Sequence, residues 1–183
     1  MEDEHLVADL EWTCCNDGSI PPEESETIEI GAVVVANGSV VREFDVLVKP
    51  VLHPHLTKFC SELTGIRQED IDVAVAFPEA WGRFIGWVGG KRELCSWGRC
   101  DLWQLAKDCR RRGLPTWFEY HCDLVETFGR RCGHRNAMRR LGLESHGRHH
   151  RGVDDAKNVA AVLIRMLQDG KKLRPTVVSY LLR

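Results

Sequence analysis

The chain has 183 residues, 43% of them hydrophobic and 28% charged, with 16 Gly, 7 Pro and a formal net charge of −2. That balance excludes a disordered, collagen-like or coiled-coil chain, and the length predicts one domain over 1–183 with a sizeable core. No run of 18 apolar residues occurs, so a transmembrane helix is excluded. Met1 to His5 offer neither a basic region nor a long apolar one, so no signal peptide is read and a cytoplasmic location is expected.

Charge is unevenly spread. Met1–Val41 holds ten acidic residues and no Lys or Arg, whereas Arg130–Arg151 holds seven Arg, four His and one acid, Glu144. An acidic segment and a basic one can build a carboxylate cluster beside a phosphate-attracting rim, although Arg-rich segments are also ordinary solvated helix faces. The eight Cys predict reduced thiols rather than a disulfide framework. Cys95 and Cys100 are a lone C-x₄-C pair with no second pair to complete a zinc motif, and Cys122, Cys132, His134 and His121 match no standard zinc spacing.

In chain order, His5–Thr13 reads as a strand and Gly18–Ser25 as a loop. Thr27–Ala36 and Val40–Val48 are β-rich runs joined by Asn37-Gly38, a strong hairpin signal. Leu56–Leu63 and Gln68–Ala74 read as short helices, and Pro78–Val88 as a longer one stopped by Gly89-Gly90. Glu93–Ser96 is a predicted strand, and Asp101–Arg112 a helix with Leu102, Leu105, Ala106 and Cys109 on one face. Glu119–Cys122 reads as a strand, and Leu124–Arg131 and Asn136–Leu141 as helices. A long last helix runs from about Val153 to Asp169. The tail after Arg174 shows no period. The order predicts an α/β fold: a mixed five-stranded sheet, its first three strands antiparallel, flanked by helices.

Four carboxylates and a histidine stand out against this frame. Asp9 and Glu11 alternate with Leu10 and Trp12, so both project from one face of the first strand, where they repel unless a cation relieves them. Asp155 shares the apolar stripe of Val159, Val162, Leu163 and Met166 and must point inward, while Asp154 shares a more polar face. His150 precedes Asp155 by five positions on a Gly-containing loop. Asp101 opens a helix, where alone it would read as a cap.

Taken in order, these motifs resemble the DEDD-type 3′→5′ exonucleases with a catalytic histidine, on an RNase H-like fold. The stretches that carry the likeness are Ala8–Cys14 (ADLEWTC), Pro21-Pro22-Glu23, Glu29–Ala32 (EIGA), Phe59–Ile66 (FCSELTGI), Trp97–Asp101 (WGRCD), His150–Asn158 (HRGVDDAKN) and Arg165–Gly170 (RMLQDG). They are most similar to the group of the histone-mRNA 3′-end exoribonuclease and the bacterial sporulation-inhibitor-like exonucleases, over residues 5 to about 174. The resemblance implies that Asp9, Glu11, Asp101 and Asp155 hold two Mg²⁺ or Mn²⁺ ions and that His150 is the general base. His149 beside His150 departs from the pattern, and the spacing to Asp155 favours His150. The resemblance further implies that Leu63, Thr64, Gly65 and Ile66 line the terminal-nucleotide pocket, and that backbone amides near Trp12 and Thr13 meet the 3′-hydroxyl. Arg148 and Arg151 are candidates for phosphates, and Trp97 and Phe59 for bases. The implied partner is a single-stranded nucleic-acid 3′ end, RNA before DNA, and the product a nucleoside 5′-monophosphate. A proofreading-type DNA exonuclease and a non-catalytic nucleic-acid-binding regulator are the competing readings.

Overall fold

In the computed structural model, which describes residues 4–182, the alternating first segment forms β1 (His5–Trp12). Met1–Asp3, part of the stretch read for a leader, lie outside the described residues. β2 (Thr27–Ala36) and β3 (Ser39–Lys49) follow as an antiparallel meander with β1. Their connection is the two-residue turn expected, with Asn37 at φ 51° and Gly38 at φ 71°, the left-handed pair whose twist suits a hairpin.

The chain then changes period. α1 (Lys58–Thr64), α2 (Gln68–Asp72), the short β4 (Val75–Ala76) and α3 (Phe77–Val88) lead to β5 (Glu93–Ser96) and α4 (Cys100–Arg111). β6 (Tyr120–Asp123), α5 (Leu124–Phe128), α6 (His134–Leu141) and α7 (Gly152–Gln168) come next. β7 (Thr176–Val177) and α8 (Val178–Leu181) end the described chain. The sheet order is β4-β3-β2-β1-β5-β6-β7, with β5 and β6 parallel to β1. Five strands were expected and seven are found. The two extra ones are two-residue edge pairings, too short to leave a hydrophobic period in the sequence.

Period 2 sorts the core into two layers. Leu6, Ala8 and Leu10 of β1 face α3 and α4, packing with Phe84, Leu102 and Leu105. Val7 faces α7, together with Cys95, Cys122, Val159, Val162, Leu163 and Met166. Burying each large α7 side chain contributes about 1.5–3 kcal/mol. No helix among the described residues is long and apolar enough to cross a membrane.

The start of α7 crosses β2 at extremely short range. A Cβ on Gly31 would lie 1.9 Å from the Gly152 carbonyl carbon and 2.0 Å from Val153 N. Beside this crossing, Glu29 is fully buried; its carboxylate accepts from Arg151 Nε at 3.0 Å, Arg151 Nη2 at 2.9 Å and Gly152 N at 2.9 Å. Removing one partner of such a buried pair costs about 3–5 kcal/mol. Sequence reasoning missed Glu29, although a lone acid in TIEIGAVVVA was the visible signal. Arg151, a candidate for phosphate contact, is instead committed to Glu29.

Gly31→Ala is therefore expected to destabilise the fold by more than the about 1–3 kcal/mol usual for overpacking. Gly86→Ala, at an exposed position of α3 with nothing within 4 Å of its added Cβ, is the control and should be neutral or stabilising. Urea unfolding of the two variants checks both.

Candidate active site

β1 is flanked by β5 only near its start, where Val7 pairs with Cys95. Beyond that point the strand edge is open, and α4 begins above it. Asp101, in the first turn of α4, accepts from Leu10 N at 3.0 Å, occupying the place of a missing strand partner. The N-cap position of α4 belongs to Arg99, so Asp101 is not the cap that its position alone suggested. The open edge is what brings a helix carboxylate to the Asp9 and Glu11 face.

Asp155, in the first turn of α7, completes the group from above, as its periodicity predicted. Asp154 points elsewhere and accepts from Arg148 N at 2.8 Å. Asp9, Glu11, Asp101 and Asp155 all line one cavity of about 290 Å³, together with Trp12, Leu63, Trp97, His134, His149 and His150. A larger cleft of about 490 Å³ lies beside it, bordered by Arg99, Trp103, Arg130 and Arg131. The chemistry belongs to the smaller one, where the carboxylates converge.

Two imidazoles and a backbone amide hold Asp155. His134 Nε2 lies 3.0 Å from Oδ1, His149 Nδ1 lies 2.9 Å from Oδ2, and His150 donates its backbone N–H to Oδ2 at 2.8 Å. His134, at the start of α6, was weighed only as a zinc ligand with Cys122, Cys132 and His121, and those four do not gather. His121 lies 2.9 Å from Ser96 Oγ on the other face of the sheet. The His150 ring approaches Glu11, with Nδ1 3.7 Å from Oε1, and lies 3.9 Å from the His149 ring. His150 adopts φ 61°, a conformation that strains a residue bearing a Cβ by about 1–2 kcal/mol.

The acids differ sharply in charge affinity. Burial, reinforced by Asp101, Glu11 and Asp155, holds the Asp9 carboxyl well above the usual range. Burial and the nearby Glu29, Asp155 and Asp101 carboxylates push Glu11 up to about 9. Burial raises Asp101 to about 7 against the pull of the Leu10 N–H. Burial acts the same way on Asp155, but the His134 hydrogen bond and the other imidazole and amide contacts bring it down to about 2. Burial and the His149 ring lower His150 below an ordinary imidazole.

The other expected contacts divide. Leu63 reaches the cavity, while Thr64 and Ile66 are buried beneath it; the Thr64 hydroxyl donates to Cys60 O at 2.9 Å. Gly65, at φ 70°, lies under the Arg148 guanidinium, which donates to Glu62 O at 3.1 Å. Thr13 is buried and its amide donates to Glu26 O at 2.8 Å, so that N–H is already committed. Trp97 lines the cavity with its indole N–H bound to Cys132 O at 2.7 Å; Phe59 is not among the lining residues.

Residues 6–163 match the exonuclease family, RNase_T. ERI1 exoribonuclease 2 of Mus musculus is 32% identical over 93% of this chain, and the Drosophila melanogaster 3′-5′ exonuclease Snipper 31% identical over 90%. The chain spans 29% of the former and 69% of the latter. Among solved structures, the nuclease domain of 3′hExo, a DEDDh family member bound to rAMP, superposes with a TM-score of 0.86 at 28% identity, covering 96% of each chain. A 3′-exonuclease that recognises the 3′ end of the histone mRNA stem-loop gives 0.86 at 27% identity, over 95% of this chain and 66% of that one. The chain belongs to the exonuclease family and has its RNase H-like fold. Membership implies divalent metal ions, and the donor set fits them: hard oxygen ligands whose burial, reinforced by crowding, keeps Asp9, Glu11 and Asp101 reluctant to ionise.

That crowding should be measurable as stability. In the metal-free protein Glu11 and Asp101 retain protons that the unfolded chain loses near pH 4. Their contribution is complete below that value and drains away as pH rises through about 7 for Asp101 and about 9 for Glu11. Asp155 acts oppositely, but only as pH falls through about 2. Melting temperature in EDTA should fall between about pH 5 and pH 9, and Mn²⁺ should restore it at the upper end but hardly at the lower. A flat profile in EDTA would contradict this electrostatic picture.

Proposed function

We propose that the protein removes nucleotides one at a time from the 3′ end of single-stranded RNA, releasing nucleoside 5′-monophosphates. The observation that carries this reading is the convergence of four carboxylates from β1, α4 and α7 in a cavity bordered by His150. Asp9, Glu11, Asp101 and Asp155 would hold two Mg²⁺ or Mn²⁺ ions. Bound there, such ions polarise the phosphoryl oxygens and stabilise charge on the leaving 3′-oxygen.

The chain's own residues do the rest. His150 takes the proton of the attacking water; its lowered basicity keeps it neutral and able to accept near pH 7. His149, held to Asp155, buttresses the His150 ring rather than sharing its task. His134 fixes Asp155 in its ionised form from below. Leu63 and Trp12 supply apolar walls to the cavity for the terminal nucleotide. The exposed Arg130, Arg131 and Trp103 along the neighbouring cleft suit the phosphates and bases upstream. RNA is favoured over DNA by the exoribonuclease relatives at about 30% identity.

Digestion of a 5′-labelled single-stranded RNA in Mn²⁺ should give a ladder shortening from the 3′ end, abolished by EDTA and by Asp101→Asn. His150→Gln should lower kcat by about 10²–10⁴-fold, and His149→Gln by less. A matched DNA oligomer tests the proofreading-type alternative. Tight binding of RNA without cleavage by the folded, metal-supplied protein would leave a binding role as the better reading.

A further inference from the structure

A second cluster of metal-ligating side chains lies on β1, β5 and β6, beginning at His5 and Glu93, the first residues of their strands. β1, β5 and β6 run side by side, with Val7 opposite Cys95 and Cys95 opposite Cys122. His5 and Glu93, two residues earlier on their strands, therefore project from the same face as the two thiols. His5 Nδ1 lies 3.9 Å from Glu93 Oε1, and one ligand atom each of His5, Glu93 and Cys95 lies within 4.8 Å of the others. Cys122 pairs with Cys95 across the β5–β6 ladder, so its side chain projects from the same face beside that group. Cys95 and Cys122 are fully buried, while the His5 and Glu93 side chains are 16% and 35% exposed, which leaves a path from solvent.

We propose that His5, Glu93, Cys95 and Cys122 form a zinc site, separate from the catalytic carboxylates. Two thiolates, one imidazole and one carboxylate are four donors of the types that borderline-soft Zn²⁺ binds tetrahedrally. Bond lengths of about 2.0–2.3 Å bring tetrahedral ligands to about 3.5 Å from one another, within reach of small side-chain rotations. On binding, each thiol gives its proton to solvent, two in all, and neutral His5 donates a lone pair. Its outermost ligand, His5, lies four residues before Asp9, about 13 Å along β1, and its thiols lie level with Val7, two residues before Asp9. Carboxylate ligands in one cluster and sulfur-rich ligands in the other would sort two kinds of cation. The ion would clamp β1, β5 and β6 together where β1 and β5 share a single ladder pair.

The spacing rules for zinc motifs could not find this set, because its ligands come from three strands and Cys95 and Cys122 are brought together only by parallel pairing. Plain packing is the competing account, since both cysteines also sit in the α7 core layer.

Cobalt separates the two. The full chain, stripped with EDTA and titrated with Co²⁺, should show a thiolate-to-cobalt charge-transfer band in the near ultraviolet at one equivalent, which zinc then removes. The band should persist in Asp101→Asn, because carboxylate ligands produce none. Cys95→Ala and Cys122→Ala should abolish it. Should either fail to fold, His5→Ala and Glu93→Gln, at part-exposed positions, should still weaken cobalt affinity by at least about tenfold. No band in the folded wild type, or a band unchanged by His5→Ala and Glu93→Gln, would overturn the site.

Discussion

The near-contact of two backbones, Gly152 over Gly31, is the constraint on which the site depends. A helix normally rides on a sheet at side-chain distance; here the first turn of α7 rests on bare strand. This proximity lets Asp155, whose side chain is short, reach the carboxylates of β1. It also puts Arg151 beside Glu29, so a buried charge on β2 is neutralised by the residue that introduces the helix. Position and charge are fixed together at that crossing.

The carboxylates themselves oppose folding. Asp9, Glu11 and Asp101 are buried beside other carboxylates, so each resists losing its proton, while Asp155, held by two imidazoles and a backbone amide, stays ionised. The cavity is thus built asymmetrically, with one carboxylate held as an anion and three whose ionisation burial opposes. Such a site keeps its affinity for divalent ions by refusing to relax without them.

Period and order made much of this legible from residues alone. The first three strands, the hairpin at Asn37-Gly38, the inward face of Asp155 and the outward face of Asp154 all followed from local pattern. The family followed from the order of short motifs. What escaped were features that need the third dimension. Nothing local marks His134 as a partner of Asp155, because α6 and α7 meet only through packing. The Thr13 amide was expected to be free, but its bond to Glu26 depends on how the loop before β2 folds back. Thr64 and Ile66 belong to a motif that reads as a pocket wall, yet Thr64 ends α1 on its buried side and Ile66 follows the Gly65 cap into the core, leaving Leu63 to reach the cavity.

The bond from the Leu10 amide to Asp101 makes one backbone proton a spectroscopic gauge of the cavity. In an ordinary strand that proton would be held by a neutral carbonyl and would report only on the sheet. Here its acceptor is a carboxylate whose charge changes with pH and with bound cation, so the nitrogen and proton resonances of Leu10 shift with that charge. A single peak in an amide spectrum thereby follows the electrostatic state of a buried centre that has no chromophore of its own.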